Sequence, residues 1–135
     1  MLPDEIAAFL QARGFGTVGG ANGTIFIGNA PDSPDNIVYI HEETGRPGVE
    51  TMGHTPPVLG RPRFTVTVRN LDYETGRSLA NQIYLALSAV VGDSVGGYSY
   101  TRIRALGEPS EHPRGRDLDN RWRFVTRYEA WRTPG

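Results

Sequence analysis

The residue types that most often carry chemistry are spread thinly along this sequence. His41, His54 and His112 fall in three separate segments, and no two share the i, i+4 spacing that sets a pair of metal ligands on one helix face. There is no cysteine, so thiolate chemistry, disulfides and cysteine metal sites are excluded. Glu42 and Glu43 are neighbours in a strand-like run. Adjacent strand residues point to opposite faces, so these two carboxylates cannot converge on one substrate as acid and base. Ser33, Ser78, Ser88, Ser94, Ser99 and Ser110 all lack the strand-to-helix elbow that exposes a nucleophile. Gly14-Phe15-Gly16-Thr17-Val18-Gly19 matches the dinucleotide fingerprint by letters, but a helical pattern precedes it where a strand is required. Asn22-Gly23-Thr24 has the letters of a glycosylation acceptor without a secretory signal to use it. An enzyme has no set of residues here to rest on.

The strongest local signal is for binding. In Arg121–Arg132, Trp122, Phe124, Thr126, Tyr128 and Ala130 share one strand face, and Arg121, Arg123, Val125, Arg127, Glu129 and Trp131 share the other. Arginines interleaved with aromatics can hold phosphates and stack bases, which makes a single-stranded nucleic-acid module one reading. In this strand the aromatic face reads as core, so rings and arginines would not meet the same ligand. The glycines of the RNA-recognition sheet motif are also absent.

The elements that position these residues can be read from periodicity. Arg63–Arg69 alternates strictly: Phe64, Val66 and Val68 on one face, Arg63, Thr65, Thr67 and Arg69 on the other. Asp72 then has the place and chemistry of a helix cap, and Gly76, Leu79, Ala80, Ile83, Leu87 and Val90 form one apolar stripe at helical spacing. A first helix is expected over Pro3–Arg13, stopped by Gly14. Strands are expected at Thr24–Ile27, Asn36–Glu42, Tyr98–Leu106 and Arg121–Arg132, with long loops over 44–62 and 107–120. The order α-β-β-β-α-β-β predicts an α+β fold: a mainly antiparallel sheet of about five strands with both helices on one face. The last two strands should pair as an antiparallel hairpin.

A chain of 135 residues suits one domain spanning 1–135, and no internal repeat or boundary is visible. Gly 17 and Pro 10 imply long loops between short elements. No run approaches the roughly 18 apolar residues needed to span a membrane, and the acidic start Met1-Leu2-Pro3-Asp4-Glu5 is not a signal peptide. The net charge of -1 gives no long-range pull on nucleic acid. Its distribution is uneven. Up to Gly60 there are seven acids against two bases; from Arg61 onward there are twelve bases against eight acids. Unlike halves of this kind suit head-to-tail contact between copies. Every lysine-or-arginine position is arginine; arginine forks suit interfaces, but a GC-rich genome is the simpler explanation.

Three segments together resemble the tail terminator (minor capsid, tail-completion) proteins of long-tailed bacteriophages. They are Ile6–Leu10; then Val38–Pro47 with Phe64–Arg69, Asp72-Tyr73 and Leu79–Leu87; and Gly115–Phe124 running into Tyr128-Glu129. The resemblance covers nearly the whole chain, and its weakest stretch is the proline-rich 44–62 segment. It implies a structural virion protein without enzymatic activity or cofactor, located at the head-proximal end of the tail and assembled in the host cytoplasm. Subunits would close into a homohexameric ring, bind the tail tube protein and a head-side connector or stopper, and let genome DNA pass through the lumen unread. No membrane is involved. Another head-tail connector or head-completion protein is the neighbouring alternative. The residues expected at a subunit or partner interface are Arg63, Arg69, Arg116, Asp117, Arg121, Arg123 and Arg127. Arg69, just ahead of the capped helix, is the first candidate to line a lumen or meet a neighbour.

Overall fold

A computed structural model describes residues 2–18, 23–28, 31, 34–49, 59–95, 98–112 and 120–132. Within these, the order is α1 (Leu2–Ala12), β1 (Ile25–Ile27), β2 (Ile37–Val49), β3 (Leu59–Asn70), α2 (Tyr73–Ser88), β4 (Val91–Val95), β5 (Tyr98–Ala105), β6 (Ser110–Glu111) and β7 (Trp122–Arg132). All seven strands join one sheet in the order β1-β2-β3-β7-β5-β4, with β6 also paired to β7. The α+β class, the antiparallel β5–β7 pairing and the two helices on one side all match the sequence pattern.

The central ladder follows from the alternation in β3. Phe64 lies opposite Tyr128, Val66 opposite Thr126 and Val68 opposite Phe124; across the other ladder Val68 meets Val38 and Val66 meets Ile40. These side chains make one buried inner face, and the Phe64 and Tyr128 rings stack at 5.1 Å. Each large apolar side chain buried here contributes about 1.5–3 kcal/mol.

Helix α2 lies on β3, β7 and β5. Its buried Gly76, Ala80, Ile83 and Leu87 are the apolar stripe read from sequence. Asp72 caps it, accepting from the Thr75 amide at 3.1 Å and from the Thr75 hydroxyl. These two bonds hold the Asp72 carboxyl below its ordinary range. Gly76 lets the helix come down onto the sheet: a Cβ there would sit 2.9 Å from Asn70 Cβ and 2.9 Å from Phe124 Cε2.

Helix α1 packs on β1, β2 and β4 through Ile6 and Leu10. It ends at Gly14, whose φ of 81° is open to glycine. The following amide, Phe15 N–H, reaches back to Leu10 O at 3.0 Å. The fingerprint-like glycines therefore begin with a helix stop. Glu5 pins α1 to the sheet's inner side. It is buried, accepts from Tyr100 Oη at 2.9 Å and pairs with Arg132 Nη1 at 3.3 Å. Burial, then the bond and charge of Glu5, push the Tyr100 phenol far above its ordinary range.

Four expectations change. The sheet has seven strands among the described residues, not about five. Residues 44–49 and 59–62, expected in a loop, extend β2 and β3, with Arg46 opposite Arg61 and Val49 opposite Leu59. Ladder bonds need extended backbone and no alternation of side chains, so register shifts between Glu43 and Val49 accommodate a Gly/Pro-rich stretch that hides the strand. The same holds for Val91–Val95, where no strand was expected, and for Ser110–Glu111 inside the expected 107–120 loop. Finally, β1 pairs parallel to β2 within the otherwise antiparallel sheet. The remaining parts of the two expected loops, 50–58 and 113–119, lie outside the described residues.

Candidate functional site

The sheet's outer face, opposite both helices, is where most of the singled-out arginines lie. Four cross-strand partners form a row of alternating sign: Glu43 on β2, Arg63 on β3, Glu129 on β7 and Arg104 on β5. Arg63 donates through Nε to Glu129 Oε2 at 3.0 Å. Glu129 is fully buried although it sits on the outer face, covered by the side chains around it. Arg127 donates through Nε to Glu43 Oε2 at 3.2 Å. Arg104 lies over the Trp131 ring, 5.4 Å from its centre. Arg102, in register with Trp131, is exposed.

Thr65 and Thr67 share this face and are nonetheless buried. They are short, and longer neighbours flank them in register: His41 and Arg127 about Thr65, Tyr39 and Val125 about Thr67. The polar face of β3 is thus covered from within the chain.

The other end of the face is closed. Arg69, expected to face a lumen or a neighbour, is turned inward instead. It is buried; Nη2 donates to Pro31 O at 2.6 Å and Pro34 O at 2.8 Å, and Nε donates to Asp35 O at 3.1 Å. A guanidinium fork fits three converging carbonyls because its donors are fixed in one plane. Arg121 is buried beside it, 3.4 Å from Asp35 Oδ1. Asn36 completes this cover by accepting from the Leu71 amide at 2.9 Å. Arg123, in register with Arg69, is half-buried.

Of the seven residues singled out, then, Arg63 and Arg127 belong to the open end, Arg69 and Arg121 to the closed end, and Arg123 stands opposite Arg69. Arg116 and Asp117 lie outside the described residues. Arg102, Arg104 and the buried Glu129 escaped selection as site residues. The signal for the arginines was present: Arg102-Ile103-Arg104 alternates about a core isoleucine, as Arg63-Phe64 does. Nothing local marks Glu129 as buried.

The chemistry candidates stay apart. His41 packs edge-on to Tyr39 at 5.1 Å, and the backbone amide of His112 donates to Arg123 O; His54 lies outside the described residues. Among the described residues no three acidic or histidine side chains gather to hold a metal. Glu42 and Glu43 diverge, Glu42 lying opposite the core residue Phe64. On β7, Trp122 and Phe124 pack against Tyr73 of α2, at 4.9 Å and 5.3 Å. The rings that could stack bases are thereby taken into the helix–sheet interface. Among the described residues no helix is long and apolar enough to cross a membrane.

This combination defines a structural class: a small α+β fold whose charges, among the described residues, are ordered along one sheet face. The family profile described as bacteriophage tail terminator protein matches residues 9–133. The chain belongs to the bacteriophage tail terminator family and is a structural tail protein. Its fold is similar to that of a chain in the virion of a native gene transfer agent (GTA) particle, with TM-score 0.57 and 13% identity over 96% of this chain and 94% of that one. No curated protein matches the sequence.

Proposed function

We propose that this protein terminates a phage tail by closing into a homohexameric ring on the head-proximal end of the tail tube. The ring stops tube growth and offers a docking surface to the head-side connector or stopper, and genome DNA passes through its lumen unread. The observation that carries this reading is the family match across residues 9–133, almost the whole chain. The surfaces are compatible with it. Unlike faces favour heterologous contacts, in which one side of a subunit meets a different side of the next, and such contacts close into rings. Among the singled-out arginines, Arg63 and Arg127 lie at the open end of the outer face and are the residues we assign to contacts.

The test is negative-stain imaging of tails assembled without this protein. The expected result is tubes of uncontrolled, extended length that fail to join heads. Tubes of normal, uniform length would overturn the proposal.

A further inference from the structure

We propose that the Gly107-Glu108-Pro109 turn is a two-position latch, in which Glu108 pairs with Arg77 of α2 or with Arg127 of β7. The latch belongs to one chain and stands whether or not a ring forms.

The turn interrupts what would otherwise be a single strand. Both β5 and β6 pair antiparallel with β7: Ala105 lies opposite Tyr128, and Ser110 lies opposite Val125. Residues 106–109 therefore stand against only Thr126 and Arg127, and the surplus is pushed out as a bulge. Its ends are fixed. The Leu106 amide donates to Arg127 O at 2.8 Å, and the ladder resumes at Ser110. Its middle is not packed in place. Gly107 and Glu108 are exposed, and a Cβ added at Gly107 would meet nothing within 4 Å. Pro109 holds the backbone of Glu108 extended, so the two move as one piece and rotation falls to Gly107.

A hollow lies on each side of the bulge, and Glu108 lines both. The hollow on the α2 side measures about 380 Å³ and contains Arg77 and Glu74. The hollow on the outer side measures about 280 Å³ and contains Arg127 and Glu111. Each therefore offers Glu108 one guanidinium and one repelling carboxylate. Among the described residues the side chains of Glu108, Glu111 and Arg77 have no hydrogen-bond or ion-pair partner. Arg127 gives Nε to Glu43 and keeps its Nη groups for a second carboxylate.

Two small differences set the balance. Arg77 is unshared, whereas Arg127 already pairs with Glu43, so charge favours the α2 side. The outer hollow is floored by Leu106 and Val125, which the bulge covers on closing, so apolar burial favours the outer side. An exposed ion pair shifts a population only about two- to fivefold, so neither position excludes the other. Salt screens the first preference and leaves the second. In the α2 position the outer hollow beside Arg127 stays open; in the outer position it is filled from within the chain.

The test is NMR on the full chain, reading through-space proton contacts from the residue-108 side chain to Asn81 on the α2 side and to Val125 on the outer side. Wild type should show both sets. Arg77→Gln should move their ratio about two- to fivefold toward Val125, and Arg127→Gln by a similar factor toward Asn81. Added sodium chloride should move wild type toward Val125, and Glu108→Gln should remove that salt response. Arg77, Glu108 and Arg127 are exposed and glutamine keeps most of each stem, so every variant should melt close to wild type, which circular dichroism checks. A single set of contacts that neither arginine variant alters overturns the proposal, as does a shift in the same direction from both. An equal salt response in wild type and Glu108→Gln overturns it too, because the carboxylate would then not be the moving charge.

Discussion

The two ends of the outer sheet face put the same residue type to opposite uses. At the closed end, the Arg69 guanidinium is surrounded by three backbone carbonyls and Arg121 is buried against Asp35. At the open end, Arg63 and Arg127 are held by carboxylates through one nitrogen each, and Arg102 meets solvent. A guanidinium remains charged and strongly hydrated by its five N–H groups, so it can be buried only where acceptors replace that water. The 31–36 segment supplies them at one end, and the described residues supply no equivalent at the other. Arginine in this sheet is therefore a fastener where backbone carbonyls converge on it and a partly solvated charge where they do not.

That contrast can be broken most forcefully at Arg69. Arg69→Ala removes three charge-assisted bonds and strands their carbonyls, so we expect a loss of about 3–5 kcal/mol in urea unfolding. Arg69→Lys should recover only part of it, because an ammonium cannot reproduce the planar fork. A loss under about 1 kcal/mol would mean that the closed end is not fastened by this residue. The next largest effect belongs to the centre of the alternating row. Glu129→Ala leaves Arg63 beside an empty buried site and should cost about 3 kcal/mol, the low end for a broken buried pair because Arg63 is partly exposed. Arg127→Ala sharpens the comparison from the open side. Its pair with Glu43 is largely solvated, so stability should change by less than about 1 kcal/mol while self-association weakens. The smallest effect is expected from pH at the Asp72 cap. Its carboxyl is held below the ordinary aspartate range by Thr75, so its contribution is present above the unfolded pKa and is lost as pH falls through the lower folded one. Thermal melts of Asp72→Asn and wild type should therefore converge on acidification below about pH 4.

Much of the scaffold was legible in the sequence because its determinants are local. The alternation at Arg63–Arg69, the stripe from Gly76 to Val90, the Asp72 cap and the Gly14 stop each involve residues within a few positions of one another, and each appears as read. The site was legible only in part. The alternation placed Arg63, Arg69 and Arg127 on the outer face of their strands, but burial of that face is decided by residues far away in the chain. Arg69 closes on Pro31, Pro34 and Asp35 from more than thirty residues downstream, and Arg121 meets Asp35 across a separation of 86. No pattern along the sequence announces that three carbonyls will converge there. Strand pairing over 44–49 was hidden for a different reason: glycine and proline weaken the side-chain signal, while the backbone ladder depends on the facing strand.

The position of β7 bears on how the chain folds as it is made. It follows every other strand in the chain, yet it lies between β3 and β5 in the sheet. During synthesis those two strands emerge first and wait, each with a bare edge, until the segment that joins them leaves the ribosome. The sheet is thus completed from its middle by an insertion. Long-range pairing of this kind slows the final folding step, and a chain interrupted before Arg121 would present two sticky edges to its neighbours.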